Sequence, residues 1–112
     1  MNLVVLVGEL ASPLDARSIA SGATVVSFDL RTEPGVTVPA AWTDPPATVP
    51  SWPPGTRLAM IGSVRRRFFR AGGATQSRTE VLATSVGRAD RRRLARVIGD
   101  AQALLGQPDR AS

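Results

Sequence analysis

The chain of 112 residues is long enough for one barrel-sized core, and with 43% hydrophobic residues and no long apolar run it reads as one globular domain rather than a disordered or membrane-spanning chain. It contains neither Cys nor His, which excludes disulfides and thiolate or imidazole metal sites. All fourteen basic residues are Arg, and they are unevenly placed: residues 1–56 carry two arginines against five acids, a net of −3, whereas residues 57–112 carry twelve against four, a net of +8. A one-sided basic half is the electrostatic footprint of a polyanion binder. Anionic lipid would suit such a charge too, but no lipidation motif is present and no membrane role is expected.

Residues 2–10 are rich in Val and Leu and lack the basic start and cleavage site of an export signal. They read as a strand that continues past a bend at Ser12-Pro13, and a cytoplasmic location is the matching expectation. After the Ser21-Gly22 turn, Val26, Phe28 and Leu30 alternate with Ser27, Asp29 and Arg31, as in a half-buried strand over 23–32. Glu33-Pro34-Gly35 makes a tight turn into a third strand over 36–42, where Pro39 points to an edge or a bulge. Seven of the nine prolines lie between 34 and 54, so 43–55 reads as a loop. Asp44 and Pro45 suit a short capped turn there, and Val49 and Trp52 suit plugs over one end of a barrel. Residues 57–70 form the longest strand candidate, with Leu58, Met60, Gly62 and Val64 on one face and Ala59, Ile61, Ser63, Arg65, Arg67 and Phe69 on the other. Ala71-Gly72-Gly73-Ala74 turns a hairpin, and 78–86 returns as a fifth strand.

From Ala89 the period changes: Leu94, Val97, Ile98, Ala101, Leu104 and Leu105 follow helical spacing until Gly106 and Pro108. Five short strands, a plug between the third and fourth and a long closing hairpin make a five-stranded OB-fold barrel the expected architecture, mainly β with a C-terminal amphipathic helix. The expected organisation is a barrel over 1–88, a helix over 89–106 and a disordered tail over 107–112. The apolar helical stripe suits its own barrel, a second subunit or a different protein equally well.

Particular residues add a resemblance. Asn2-Leu3-Val4-Val5-Leu6-Val7-Gly8-Glu9-Leu10, then Arg17, Ser21-Gly22 and Val26-x-Phe28-x-Leu30, resemble the opening of bacterial single-stranded DNA-binding proteins. Gly55-x-x-Leu58-x-Met60-x-Gly62-x-Val64-Arg65-x-Arg67 resembles that family's fourth strand, and Thr79-Glu80-Val81 its fifth, so the likeness spans about residues 1–88. It implies an OB-fold that binds single strands by stacking bases on aromatic side chains along a basic groove, and it implies dimers or tetramers. By position, Trp42 and Phe69 fall at family aromatic places, and Arg17 falls at a family basic place. The chain departs from the pattern where Pro34-Gly35 replaces a long Trp-bearing loop, where Val36 replaces a second Trp, and where Asp44 replaces a common Lys. The acidic tail of the family is missing here and a basic helix takes its place; the short, tailless primosomal OB proteins of the same family are the model for an intermediate case.

These readings give a candidate site. Arg31, Arg57, Arg65, Arg67 and Arg78 are expected on phosphates, with Arg17 beside them and with bases on Trp42 and Phe69. With no acid between 57 and 78, the arginine run reads as uncompensated. Arg91, Arg92 and Arg93 stand at the start of the helix, where cations oppose the macrodipole and an anion would relieve them, so they form a candidate secondary phosphate site. Without His, Cys, Lys or Tyr, and with no acidic cluster at metal-ligand spacing, catalysis is not expected, and nothing calls for a cofactor or a metal. The expected function is sequence-independent binding of single-stranded DNA, with RNA hardly distinguished by such contacts, in replication, recombination or repair. The alternative from a different class is an OB-fold scaffold that binds a replication or repair protein through its C-terminal helix.

Overall fold

Val26, Phe28 and Leu30, two apart along one strand, are all buried, and that strand is the hub of the fold. A computed structural model describes residues 2–106. In chain order its elements are β1 (Val4–Leu10), β2 (Asp15–Ser18), β3 (Thr24–Glu33), β4 (Val36–Trp42), β5 (Arg57–Ala71), β6 (Ala74–Arg88) and α1 (Arg91–Leu105). The expected tail over 107–112 lies outside the described residues.

The strands neighbour one another in the order β1-β5-β6-β4-β3-β2. β1 then pairs again with β3, through Glu9 with Arg31 and Leu10 with Leu30, which closes five strands into a ring. All contacts are antiparallel except the short pairing of β4 with β6, Ala40–Trp42 beside Val81–Ala83. This is the OB-fold barrel. β2 is the continuation of β1 beyond the expected bend and runs along β3, Asp15 opposite Ser27. The bend is stitched to β3 on both sides of the peptide: Ala11 N donates to the Asp29 carbonyl and Asp29 N donates to Ser12 Oγ, each at 2.8 Å. Because Asp29 directs both backbone groups toward the bend, Pro39 opposite it needs no N–H toward β3. Parallel pairing with β6 starts only at Ala40, so the proline sits where β4 is an edge.

The barrel interior is built from Leu10, Val26, Phe28, Leu30, Leu58, Met60 and Val81 with the smaller Ala40 and Ala83. Val49 and Trp52 from the proline-rich loop pack against it as plugs. No helical turn forms at Asp44-Pro45; the loop is extended and bent until a turn at Pro54-Gly55. Two glycines are required by close approach: a Cβ on Gly8 would lie 2.3 Å from the Arg31 carbonyl oxygen, and Gly62 is the other. The β5–β6 ladder shifts register between Ile61 and Gly62, leaving Thr84 of β6 unpaired as a bulge, and a Cβ on Gly62 would lie 2.0 Å from the Leu82 carbonyl oxygen.

A second, smaller core lies outside the barrel. Val97 and Ala101 of α1 bury themselves on Ala59 and Ile61, with Leu3, Val7 and Leu94 around them. The helix therefore packs on its own barrel, while Ile98, Leu104 and Leu105 remain exposed. Asp90 caps its start, accepting from Arg93 N at 2.7 Å, and Gly106 ends it.

Candidate nucleic-acid interface

β5 and β6 run on past the barrel as a two-stranded arm. β1 leaves β5 at Gly62, after which Asn2 clasps Val64 through its side-chain amide, and β4 touches β6 only at Val81–Ala83. Beyond those points neither strand has a third neighbour. Gly72 and Gly73 close the arm with φ of 60° and 79°, the positive pair that a two-residue hairpin turn of type I′ needs. β6 consequently begins at Ala74 rather than at the expected residue 78. Thr75, Gln76 and Ser77 show no apolar alternation because this part of the strand has no core to face.

Cross-strand register assigns each arm residue to a face. Arg65 lies opposite Glu80, Arg67 opposite Arg78, and Phe69 opposite Gln76. This face continues the outer surface of the barrel, and the expected grouping of Arg65, Arg67 and Phe69 on one side is what the register gives. Here a cleft of about 320 Å³ opens between Arg67, Arg78 and Glu80 of the arm and Ser12, Asp29 and Pro39 of the barrel wall.

The charges of this face are only partly compensated. Arg65 donates Nε to Glu80 Oε1 at 2.7 Å, and Glu80 is buried. The expectation that no acid answers the arginine run is thereby corrected: Glu80 lies beyond the run in sequence but directly across the strand pair. Arg78 stands 3.9 Å from Asp29 Oδ1, and Arg17 donates Nε to Asp15 at 2.9 Å. Arg67 has no ion-pair partner among the described residues, and it faces Arg78 directly. Like charges opposed across a strand pair destabilise it, and an anion set between them relieves the repulsion. Phe69, 39% exposed, lies next along the same face.

Other expected residues are placed elsewhere. Trp42 is 4% exposed, inside the barrel and stacked on Trp52 with ring centroids 6.1 Å apart. It offers no face to a base, and its expected stacking role is corrected; the end of β4 turns this ring inward beneath the proline-rich plug. Arg31 and Arg57 line a different cleft beside the closure of the ring, with Glu9 opposite both of them in register. At the start of α1 the carboxylate of Asp90 already takes the Arg93 N–H that an anion would use. Arg93 lies against Gly87 and lines a cleft with Arg57 and Arg88, while Arg91 and Arg92 are exposed. Of the three arginines, Arg93 is the one that lines this cleft.

Sequence reasoning missed the other face of the arm. Arg66, Phe68 and Arg70 lie opposite Thr79, Ser77 and Thr75, and Phe68 is 66% exposed, more than Phe69. The signal was present as Arg66-x-Phe68-x-Arg70, a second alternation offset by one residue from Arg65-x-Arg67-x-Phe69.

No protein-family model matches the sequence, and no curated protein matches it. Among solved structures, the chain is similar to the Plasmodium falciparum SSB in complex with ssDNA, with a TM-score of 0.64 over 80% of this chain and 96% of that one. Sequence identity is 15%, so the likeness is one of fold.

Proposed function

We propose that this chain binds single-stranded DNA without reading its sequence, through the outer face of the β5–β6 arm and the cleft at its base. The observation that carries the reading is the opposition of Arg67 and Arg78, with Phe69 exposed beside them. Two guanidiniums set to share an anion next to an open aromatic ring suit a phosphate and its stacked base. The shared fold with a protein solved in complex with ssDNA supports the same reading. Arg65 and Arg17 already have carboxylate partners, so Arg67 is the main phosphate ligand and affinity is modest. Work in replication, recombination or repair, in the cytoplasm and as a dimer or tetramer, belongs to the same proposal.

The test is anisotropy of a labelled oligo-dT against a matched duplex, for the parent and for Arg67→Ala with Phe69→Ala. Preference for the single strand, with at least about tenfold weaker binding by the double variant, is the expected result. Undiminished affinity in the double variant would overturn the assignment. Equal binding of both DNA forms would reduce the arm to a general polyanion patch.

A second reading, an accessory protein that docks a replication or repair partner, has one observation in its favour. Ile98, Leu104 and Leu105 stay exposed after α1 has packed on its own barrel. Leu105→Glu, which leaves the Val97 and Ala101 contacts alone, would disrupt such docking without touching the arm.

A further inference from the structure

We propose that the arm holds single-stranded nucleic acid on both of its faces, with Phe68, Arg66 and Arg70 forming a second stacking and phosphate site back to back with the first. The inference rests on the reading above and extends it to a face that reading does not use.

The arm face bearing Phe68 is the less compensated of the two. On the outer face, Glu80 neutralises Arg65 and Asp29 lies near Arg78. On the Phe68 face the cross-strand partners are Thr79, Ser77 and Thr75, and it contains no carboxylate. Arg66 and Arg70 make no ion pair among the described residues; Arg70 donates only to the Gly73 carbonyl, at 3.3 Å. An aromatic ring 66% exposed therefore stands between two uncompensated guanidiniums, with a row of hydroxyls alongside. Phe68, at 66% exposed, and Phe69, at 39%, place two open rings on opposite faces of a ribbon that has no core of its own.

The chemistry of this face selects the occupant. An aliphatic or acidic protein surface would satisfy either the ring or the arginines. A single-stranded polynucleotide satisfies both in the order they occur, phosphate to Arg66, base on Phe68, phosphate to Arg70, with hydroxyls as further phosphate donors. A duplex does not, because its bases are already stacked. The path between faces is open, since neither edge of the arm beyond Val64 and Glu80 carries a third strand. Strand twist turns the faces progressively along the arm, so a chain laid along one face is carried toward the other edge. The two faces lie on opposite sides of a single two-stranded ribbon, separated by its backbone. A short oligonucleotide is thus confined to one face, whereas a longer one passes around the edge and occupies both.

The experiment compares Phe68→Ala, Phe69→Ala and the parent on oligo-dT of about 6 and about 30 nucleotides, with the occluded length read at saturation. Ultraviolet cross-linking followed by peptide mapping locates the contacts. Phe68→Ala is expected to weaken the long oligonucleotide roughly 5- to 100-fold and to shorten the occluded length, while the short one is scarcely affected. Cross-links at both Phe68 and Phe69 are expected in the parent bound to the long oligonucleotide. Losses equal at both lengths would overturn the two-face arrangement, as would Phe68→Ala binding like the parent at every length. In the latter case a loss in Phe69→Ala leaves the outer-face reading standing. A change in oligomer mass without a change in DNA affinity would assign Phe68 to a protein contact and overturn the inference. A parent that binds neither oligonucleotide overturns both readings together.

Discussion

Trp42 lies face to face with Trp52, their planes 4° from parallel, and its Nε1 is buried with no hydrogen-bond partner among the described residues. Leaving such a donor unsatisfied costs about 1–3 kcal/mol, and the apolar remainder of the ring stabilises the core by a similar order. Trp42→Phe removes both the orphaned N–H and part of the packed ring, so the two effects oppose. Stability is expected within about 1 kcal/mol of the parent by chemical denaturation, with DNA affinity unchanged. A tenfold loss of affinity in a folded variant would restore Trp42 to the interface. Arg65 gives the converse case. Its partner Glu80 is buried, so Arg65→Ala leaves a desolvated carboxylate without its cation and is expected to cost about 1–3 kcal/mol of stability. Because Arg65 is half exposed, the cost stays below that of a fully buried pair. Denaturation midpoints for Arg65→Ala and Arg67→Ala should therefore separate the two arginines: the first unfolds earlier, while the second unfolds with the parent.

At the scale of elements, the arm and the barrel answer to different forces. From Arg67 to Arg78 every residue is exposed except the half-buried Ala71, so the arm contributes ligand surface and little stability. Joining Arg66 to Thr79 by two glycines keeps the Arg65–Glu80 and Val64–Val81 pairs and removes the rest. This shortened protein is expected to keep its thermal midpoint within a few degrees and to lose at least about tenfold in oligo-dT affinity. Retained affinity would move the interface to the barrel wall. The same division explains what was legible beforehand. Val26, Phe28 and Leu30 alternate because β3 has one wet and one dry face, and the Leu94, Val97 and Ala101 spacing marks the helix face that meets Ala59 and Ile61. The start of β6 was not legible, since a strand with no core face carries no alternation. Nor was the bulge at Thr84, which follows from the approach of Gly62 to the Leu82 carbonyl. Trp42 and Phe69 looked alike in sequence as aromatics at strand ends; only the closure of the ring decides which one is enclosed.

Over the whole molecule, the basic excess of residues 57–112 sorts into arginines that already have a carboxylate and arginines that do not. That distinction depends on register, so it is invisible in a charge count: Arg65 meets Glu80 only because β5 and β6 are paired, and Arg67 meets Arg78 for the same reason. It has a measurable consequence. Binding of a single strand releases counterions, and the logarithm of the association constant falls with the logarithm of salt by about 0.7 per phosphate neutralised. An arginine already paired with a carboxylate contributes little to that slope, because its charge is answered before DNA arrives. Arg67→Ala is therefore expected to flatten the salt dependence by about 0.7, whereas Arg65→Ala, studied where it is folded, leaves it close to that of the parent. The measurement is oligo-dT affinity by anisotropy across a salt series for the three proteins. Equal flattening by both substitutions would mean that DNA displaces Glu80 from Arg65, so that the pair opens on binding. Parallel slopes for all three would place the phosphates elsewhere, with the cleft formed by Arg57, Arg88 and Arg93 the next surface to substitute.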